Sequence, residues 1–327
     1  MLTVKENFFA TLNWGTPDAL VNSWEPFQMI FDPLMAKTMI AEKGKTIVDD
    51  WGVSVYWGED EPGVMPMCEG DLKVIKDITK WKDVIKRPDF SAAMDWSAAK
   101  AMQEEARKNG KLSTSLMATG LFEQSHYLMG FEDTLLNLMM YPKEMHELLD
   151  YILEYKMEYA KLLVENLKPD VILSHDDWGF KTNLFVRDTV WREFFKPRYE
   201  KLYGYLKEND IIVMHHSDSY CEIIVQDMID VGIDIWQGVL PQNNIPEIQK
   251  ITKGKMLLMG GLECSIMDIP NFNEEVIRQE VRRACDEYVP GGGFIPCLTY
   301  GGEGSIYPGV NDIIMDEIAK ISPKYFK

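Results

Sequence analysis

Three of the five histidines in this chain, His175, His215 and His216, lie in one stretch from Val171 to Cys221. Each lies in a knot with carboxylates: Ser174-His175-Asp176-Asp177-Trp178-Gly179 and His215-His216-Ser217-Asp218. Imidazoles and carboxylates are zinc ligands, and they are also the usual general acids and bases near neutral pH. The adjacent carboxylates Asp176 and Asp177 raise each other's proton affinity, which suits a general acid; the competing reading is a helix cap. On an extended run, His216 and Asp218 share one direction and His215 and Ser217 the other. Only one of the two histidines therefore points at a site, and the sequence leaves open which. The structural alternative is a buried imidazole hydrogen-bonded to Asp218 or Asp177.

Both knots end short apolar runs, Val171–Leu173 and Ile211–Met214, with helical sequence over 187–208 between them. A strand–helix–strand unit with reactive side chains at the carboxyl ends of its strands is how parallel α/β folds build sites. Eight strand candidates can be counted, near 19–25, 46–57, 111–118, 171–174, 211–216, 233–237, 255–260 and 293–297. From the third onward they alternate with helical sequence, including 131–140, 243–252, 272–288 and a last helix from about Val310. This predicts an α/β fold, a single (β/α)8 TIM barrel over 1–327, with an open doubly wound sheet as the alternative. Before the third strand lies an N-terminal helical and loop elaboration: helices over 5–13, 27–43, 75–87 and 91–109, and an acidic Pro/Gly loop over 59–70.

Met145, Leu148, Leu149, Ile152, Leu153, Tyr159, Leu162 and Leu163 recur at helical spacing and predict a core-facing stripe, with His146 on the solvated face. Cys297 closes the last strand, which a barrel returns to the rim. A thiolate there would complete a zinc set of His216, Asp218 and Cys297, with Cys221 and Glu263 as alternates. Against this stands the habit of free cysteine simply to pack. Trp178, Trp236, Trp51 and Trp57 fall near strand ends and either line a pocket or fill the core.

Composition narrows the function classes. A net charge of −18 over 327 residues argues against nucleic acid and anionic membrane as partners. The N-terminal sequence has no signal-peptide pattern, and no apolar run approaches the ~18 residues of a membrane span. The five scattered cysteines fit a reducing, cytoplasmic setting. No dinucleotide or Walker fingerprint occurs. Arginine is absent before Arg87, so a polyanionic substrate lacks an N-terminal clamp.

The runs HDDWG, FKPRYEKLY and VMHHSD, with Gly120-Leu121-Phe122-Glu123, Gly130-Phe131-Glu132, Gly260-Gly261-Leu262-Glu263 and Gly293-Phe294-Ile295-Pro296-Cys297, together resemble the uroporphyrinogen decarboxylase superfamily. The resemblance implies one (β/α)8 barrel. The family's decarboxylases carry an N-terminal R-x-x-G-R segment that this chain lacks. Asp50-Trp51-Gly52 and the ending Ile-Pro-Cys-Leu-Thr-Tyr-Gly look like the corrinoid-dependent methyltransferase branch, and in particular like the O-demethylase methyltransferase I components. The resemblance therefore implies transfer of methyl from a small methylated substrate, a methoxyaromatic, to the corrinoid of a partner protein, with zinc assistance. Alternatives within the family are a methylcorrinoid-to-thiol or tetrahydrofolate methyltransferase, and a decarboxylase. Carried over, Asp177, His216 and Glu123 are the catalytic candidates and Trp178, Trp24, Trp236 and Tyr300 the substrate lining. His216 and Cys297 match zinc ligands of the coenzyme M enzymes, but Asp218 stands where those enzymes have a cysteine. An oxygen-bound substrate fits that exchange better than a thiol.

Overall fold

A computed structural model describes residues 1–35, 43–59, 61, 63–90, 94–301 and 304–326. Seven parallel strands form its main sheet: β1 (Phe27–Ile30), β5 (Leu112–Met117), β6 (Val171–His175), β7 (Ile212–His216), β8 (Ile235–Val239), β9 (Leu257–Gly261) and β10 (Phe294–Cys297), hydrogen-bonded in that order. Between β1 and β5 the chain makes a separate antiparallel sheet of β2 (Thr46–Val48), β3 (Ser54–Tyr56) and β4 (Met65–Pro66). Parallel strands covered on both faces read as unbroken apolar runs, and Val171–Leu173 and Val213–Met214 are buried throughout.

The two faces of the main sheet have different partners. Phe27, Leu112, Val171, Leu173, Met214, Ile235, Leu257, Met259, Ile295 and Cys297, from all seven strands, meet in one buried cluster with Phe8 and Val21. One cluster fed by every strand means that the sheet curls around a packed lumen, as in barrels of this kind. The other face, with Ile172, Val213, Trp236 and Leu258, packs against the helices in a second and larger cluster. The long helix Pro142–Asn166 buries the predicted stripe there, Leu162 being half-buried.

Several expectations fail for physical reasons. Residues 18–25 form turns, and the first strand is the next segment, Phe27–Ile30, predicted as helix; its partner Leu112–Ser115 supplies a ladder that local propensity cannot foresee. Residues 46–57 are extended but fold back on themselves through a turn at Asp49–Gly52, so they pair antiparallel outside the barrel. Among the described residues the parallel sheet thus has seven strands, not eight. The 59–70 loop contains β4, and 75–87 yields only a 3-10 turn and the one-turn helix Trp81–Val84. The helix expected from Ser91 runs from Ser97 to Lys108; Ser91 itself, and 36–42 of the expected 27–43 helix, lie outside the described residues. The 187–208 helix is interrupted at Phe195. His146 is half-buried, stacked on Phe194 at 4.2 Å, with its carbonyl accepting from Arg198. Among the described residues no helix is long and apolar enough to cross a membrane.

Candidate active site

Strand alternation sorts the knot residues by face. Val171 and Leu173 face the lumen, so His175 follows them; Met214 likewise carries His216 inward. The β6–β7 register sets His175 directly beside His216, and their rings stack at 4.2 Å with a 20° tilt. His215 points the other way, into the helix layer. There it meets the Tyr203 hydroxyl at 2.7 Å and the Asp176 carbonyl at 3.2 Å, and it lies under the Trp178 ring at 3.9 Å. The histidine at the mouth is therefore His216.

The adjacent aspartates divide in the same way. Asp176 is fully buried and turned outward. It accepts the backbone N–H groups of Phe122 (3.1 Å) and Glu123 (2.8 Å), the Trp178 indole N–H (3.0 Å) and the Tyr199 hydroxyl. It thus caps the helix Leu121–Met129 across the barrel wall rather than the helix that follows it. Gly120 is required at this turn because a Cβ would fall 2.0 Å from the Asp176 side chain. Behind the turn, buried Lys156 donates to the Ala118 carbonyl at 3.0 Å; burial lowers its pKa to about 7, opposed by Asp176 and Glu123.

The cap aims Glu123 at the lumen, where its carboxylate meets His175 Nδ1 at 2.9 Å. Asp177 stays at the mouth, accepting the Asp218 N–H at 2.9 Å and lying 3.9 Å from His216 Nε2. His216 Nδ1 is engaged by Gln237 Oε1, and the Gln237 amide N–H donates to the Thr299 carbonyl at 2.8 Å. A bulge in β8 after Gln237 allows this aim: Gly238 has φ +97°, and a Cβ there would sit 3.0 Å from the Ser217 carbonyl.

Charge is unevenly held across the mouth. Burial disfavours a protonated His175, but the Glu123 charge and hydrogen bond, with Asp177 and Asp218, outweigh it and raise its pKa to about 10. Burial also disfavours the Glu123 anion, yet His175 keeps that carboxyl below its usual range. Burial raises Asp177 to about 6 despite the opposing His175 charge; burial and then the Asp177 charge raise Asp218 to about 6. Burial, followed by the neighbouring His175, lowers His216 to about 4. The mouth accordingly holds one anion–cation pair, two carboxyls that titrate near neutrality and one neutral imidazole.

Among the described residues, the His, Cys, Asp and Glu side chains able to bring ligand atoms within 4.8 Å of one another are His175, Asp177 and His216. Asp218 and Cys297 are not in this group. Asp218 lies past the last residue of β7, where strand alternation no longer applies. Cys297 faces the lumen but is wholly buried in the apolar cluster, and burial pushes its thiol far up. Cys221 is on the helix side, between Ser217 and Ser219. Glu263 is half-buried and accepts from Gln242 at 2.6 Å. Of the aromatic candidates, Trp178 and Trp236 are buried in the helix layer, as is Trp51. Trp57 donates its indole N–H to the Glu61 carbonyl. Trp24 packs against the lumen cluster beside Phe27. Tyr300 donates to Asp268 at 2.7 Å and lines a cleft of about 470 Å³ with Lys43, Glu59 and Tyr307.

His175 was noted in its knot but not counted among the catalytic, lining or metal candidates, and Gln237 was not singled out. His175 was within reach, because counting in twos from Val171, as from Met214, brings both strand-end histidines inward. Gln237 carried no signal, since a lone glutamine on an apolar strand has no distinguishing spacing.

Residues 45–310 match the uroporphyrinogen decarboxylase (URO-D) family, and the chain belongs to it. No curated protein gives a match. Among solved structures, a methyltransferase from Methanosarcina mazei is similar at a TM-score of 0.66 and 13% identity, over 98% of this chain and 99% of that one. At that identity the likeness is one of fold. A D-psicose 3-epimerase (TM-score 0.39, 8% identity, 68% and 81% covered) and a GH113 β-1,4-mannanase (0.42, 13%, 70% and 81%) are more distant.

Proposed function

We propose that this member of the uroporphyrinogen decarboxylase family is a methyltransferase. It would take methyl from the oxygen of a small methylated substrate, a methoxyaromatic, and pass it to the corrinoid of a partner protein. The observation that carries this reading is a mouth with a protonatable carboxyl, Asp177, beside a neutral imidazole, His216, and without a cluster of arginines. Six of the eight arginines, Arg87, Arg192, Arg198, Arg278, Arg282 and Arg283, are engaged with carboxylates of the helix layer, Arg107 lies on the helix Ser97–Lys108, and Arg187 follows β6, at the N-cap of Asp188–Phe194. A polycarboxylate porphyrinogen would find no such clamp, which disfavours decarboxylation.

The bound corrinoid, in its Co(I) state, would supply the nucleophile that accepts the methyl group. When the C–O bond breaks, its electron pair stays on oxygen, and the poor leaving group needs charge stabilisation. Asp177 delivers a proton to that oxygen: raised to about 6, its carboxyl keeps a protonated fraction near neutrality and stays acidic enough to transfer it. The Asp218 N–H orients Asp177 for the task. Glu123 holds His175 toward the mouth, and Gln237 fixes His216. A zinc ion at the mouth would add Lewis-acid stabilisation at the same oxygen, with His216 as one ligand. The test is incubation of the protein with a reduced corrinoid protein and a panel of methoxyaromatics, followed by quantification of the free phenol. Phenol formed in step with corrinoid methylation is the expected result. Conversion of a porphyrinogen with no partner protein present would overturn the proposal.

A further inference from the structure

Resting on that reading of the mouth, we infer that the substrate's ring tail lies in a neighbouring cleft, which admits uncharged methoxyaromatics and rejects those bearing a carboxylate. The cleft, about 470 Å³, has room for a substituted benzene ring. It adjoins the same end of the barrel as the two inward histidines. Thr299 and Tyr300 follow β10 at its carboxyl end, and Asp268 ends the short helix that follows β9. The Gln237 amide that holds His216 donates to the Thr299 carbonyl, and the next residue, Tyr300, forms the cleft wall. His216 and the cleft are thus joined through two hydrogen bonds and one peptide unit.

The lining decides what the cleft accepts. Ile306 and Pro308 give it an apolar side that suits the face of a ring. Among the described residues of the lining, Lys43 is the single cation, against the carboxylates of Glu59, Glu61 and Asp268. Lys43 already donates to the Glu59 carbonyl at 3.1 Å and lies 5.5 Å from the centre of the Trp57 ring. Asp268 is held in place by the Tyr300 hydroxyl at 2.7 Å and the Tyr307 N–H at 2.8 Å. An incoming carboxylate would share one cation and meet three like charges, in a chain whose net charge is −18. Inside a cleft such repulsion is screened less than on an open surface. A ring hydroxyl or amide carries no charge and can donate to the same carboxylates. Repulsion of the wrong ligand is a common source of specificity.

The test is a calorimetric titration of the full-length protein, without a corrinoid partner, with a hydroxymethoxybenzoate and its matching benzamide. The two probes have nearly the same shape and differ in charge. The amide should bind about 30-fold or more tightly than the acid at low salt. Raising the ionic strength from about 20 to 500 mM should narrow that ratio several-fold. Glu59→Gln/Glu61→Gln should narrow it about tenfold, with a thermal melt confirming folding; the salt series on the wild type decides if that variant does not fold. Equal affinity for the two probes, a ratio indifferent to salt, or no binding of the amide would each overturn the inference. Its failure is distinct from that of the proposed activity. Selective amide binding by a protein that transfers no methyl would sink the function alone, whereas transfer from acid and amide alike would sink the cleft's role alone.

Discussion

The inner and outer faces of β6 and β7 carry the same residue types and do opposite work. Outside, His215 and Asp176 are wholly buried, and each is met by neighbours built to satisfy it: Tyr203 and the Trp178 ring for the histidine, two backbone N–H groups, an indole and a phenol for the carboxylate. Inside, His175, His216 and Asp177 are each anchored at one atom and left with another toward the mouth. Saturated polar groups specify a fold; groups with spare valence at a strand end are available to a ligand. The contrast teaches that residue type alone does not identify a site, because a one-residue step along a strand separates scaffold from chemistry.

The largest effect should come from the inner face. Asp177→Asn keeps the shape but removes the transferable proton, and methyl transfer should fall about 10²–10⁴-fold with the melting temperature little changed. On the outer face the signature should reverse. Asp176→Ala strands two backbone donors, an indole and a phenol in the interior, and should cost roughly 3–5 kcal/mol of stability, read by denaturant unfolding. If the two aspartates gave the same pattern, the division between the faces would fail.

Smaller changes sharpen the boundary. Gln237→Leu releases His216 Nδ1 without removing a proposed ligand, and metal affinity measured by competition with a chelator should drop about 10–100-fold. Lys156 stands behind the outer face, with its folded pKa near 7 against an ordinary 10.5. Between those values the unfolded chain binds more protons at this group, so its contribution makes stability rise with pH across that window. Lys156→Met should abolish that rise and make the protein more stable at pH 7 by about 1–3 kcal/mol, after allowing for the lost bond to Ala118. Urea midpoints for both chains at pH 7 and 9.5 would show it.

Much of the molecule was legible where one local rule suffices. The runs at β6 to β10 are largely apolar, that at β5 is extended around Ser113-Thr114-Ser115, and all six alternate with helices and lie within two residues of their expected positions. The N-terminal part was not legible in this way, because its strands are defined by distant partners: Phe27–Ile30 by Leu112–Ser115, and Thr46–Val48 by Ser54–Tyr56. Counting in twos was enough to pair His216 with its own strand, but it was carried past the end of β7 to Asp218 and not across to His175. Gly238 was silent in the sequence and Gly120 stood out only as part of a family motif, since what they allow, the β8 bulge and the Asp176 cap, exists only after the barrel curls.

The most direct measurement of the central claim is a single-turnover assay of methyl transfer from a methoxyaromatic to reduced corrinoid protein, with wild type, Asp177→Asn and Trp178→Phe compared in parallel. The account predicts rapid corrinoid methylation by the wild type, near-wild-type transfer by Trp178→Phe on the outer face, and a loss of at least 100-fold in Asp177→Asn. Full transfer by Asp177→Asn, or none by the wild type with any methoxyaromatic, would contradict it.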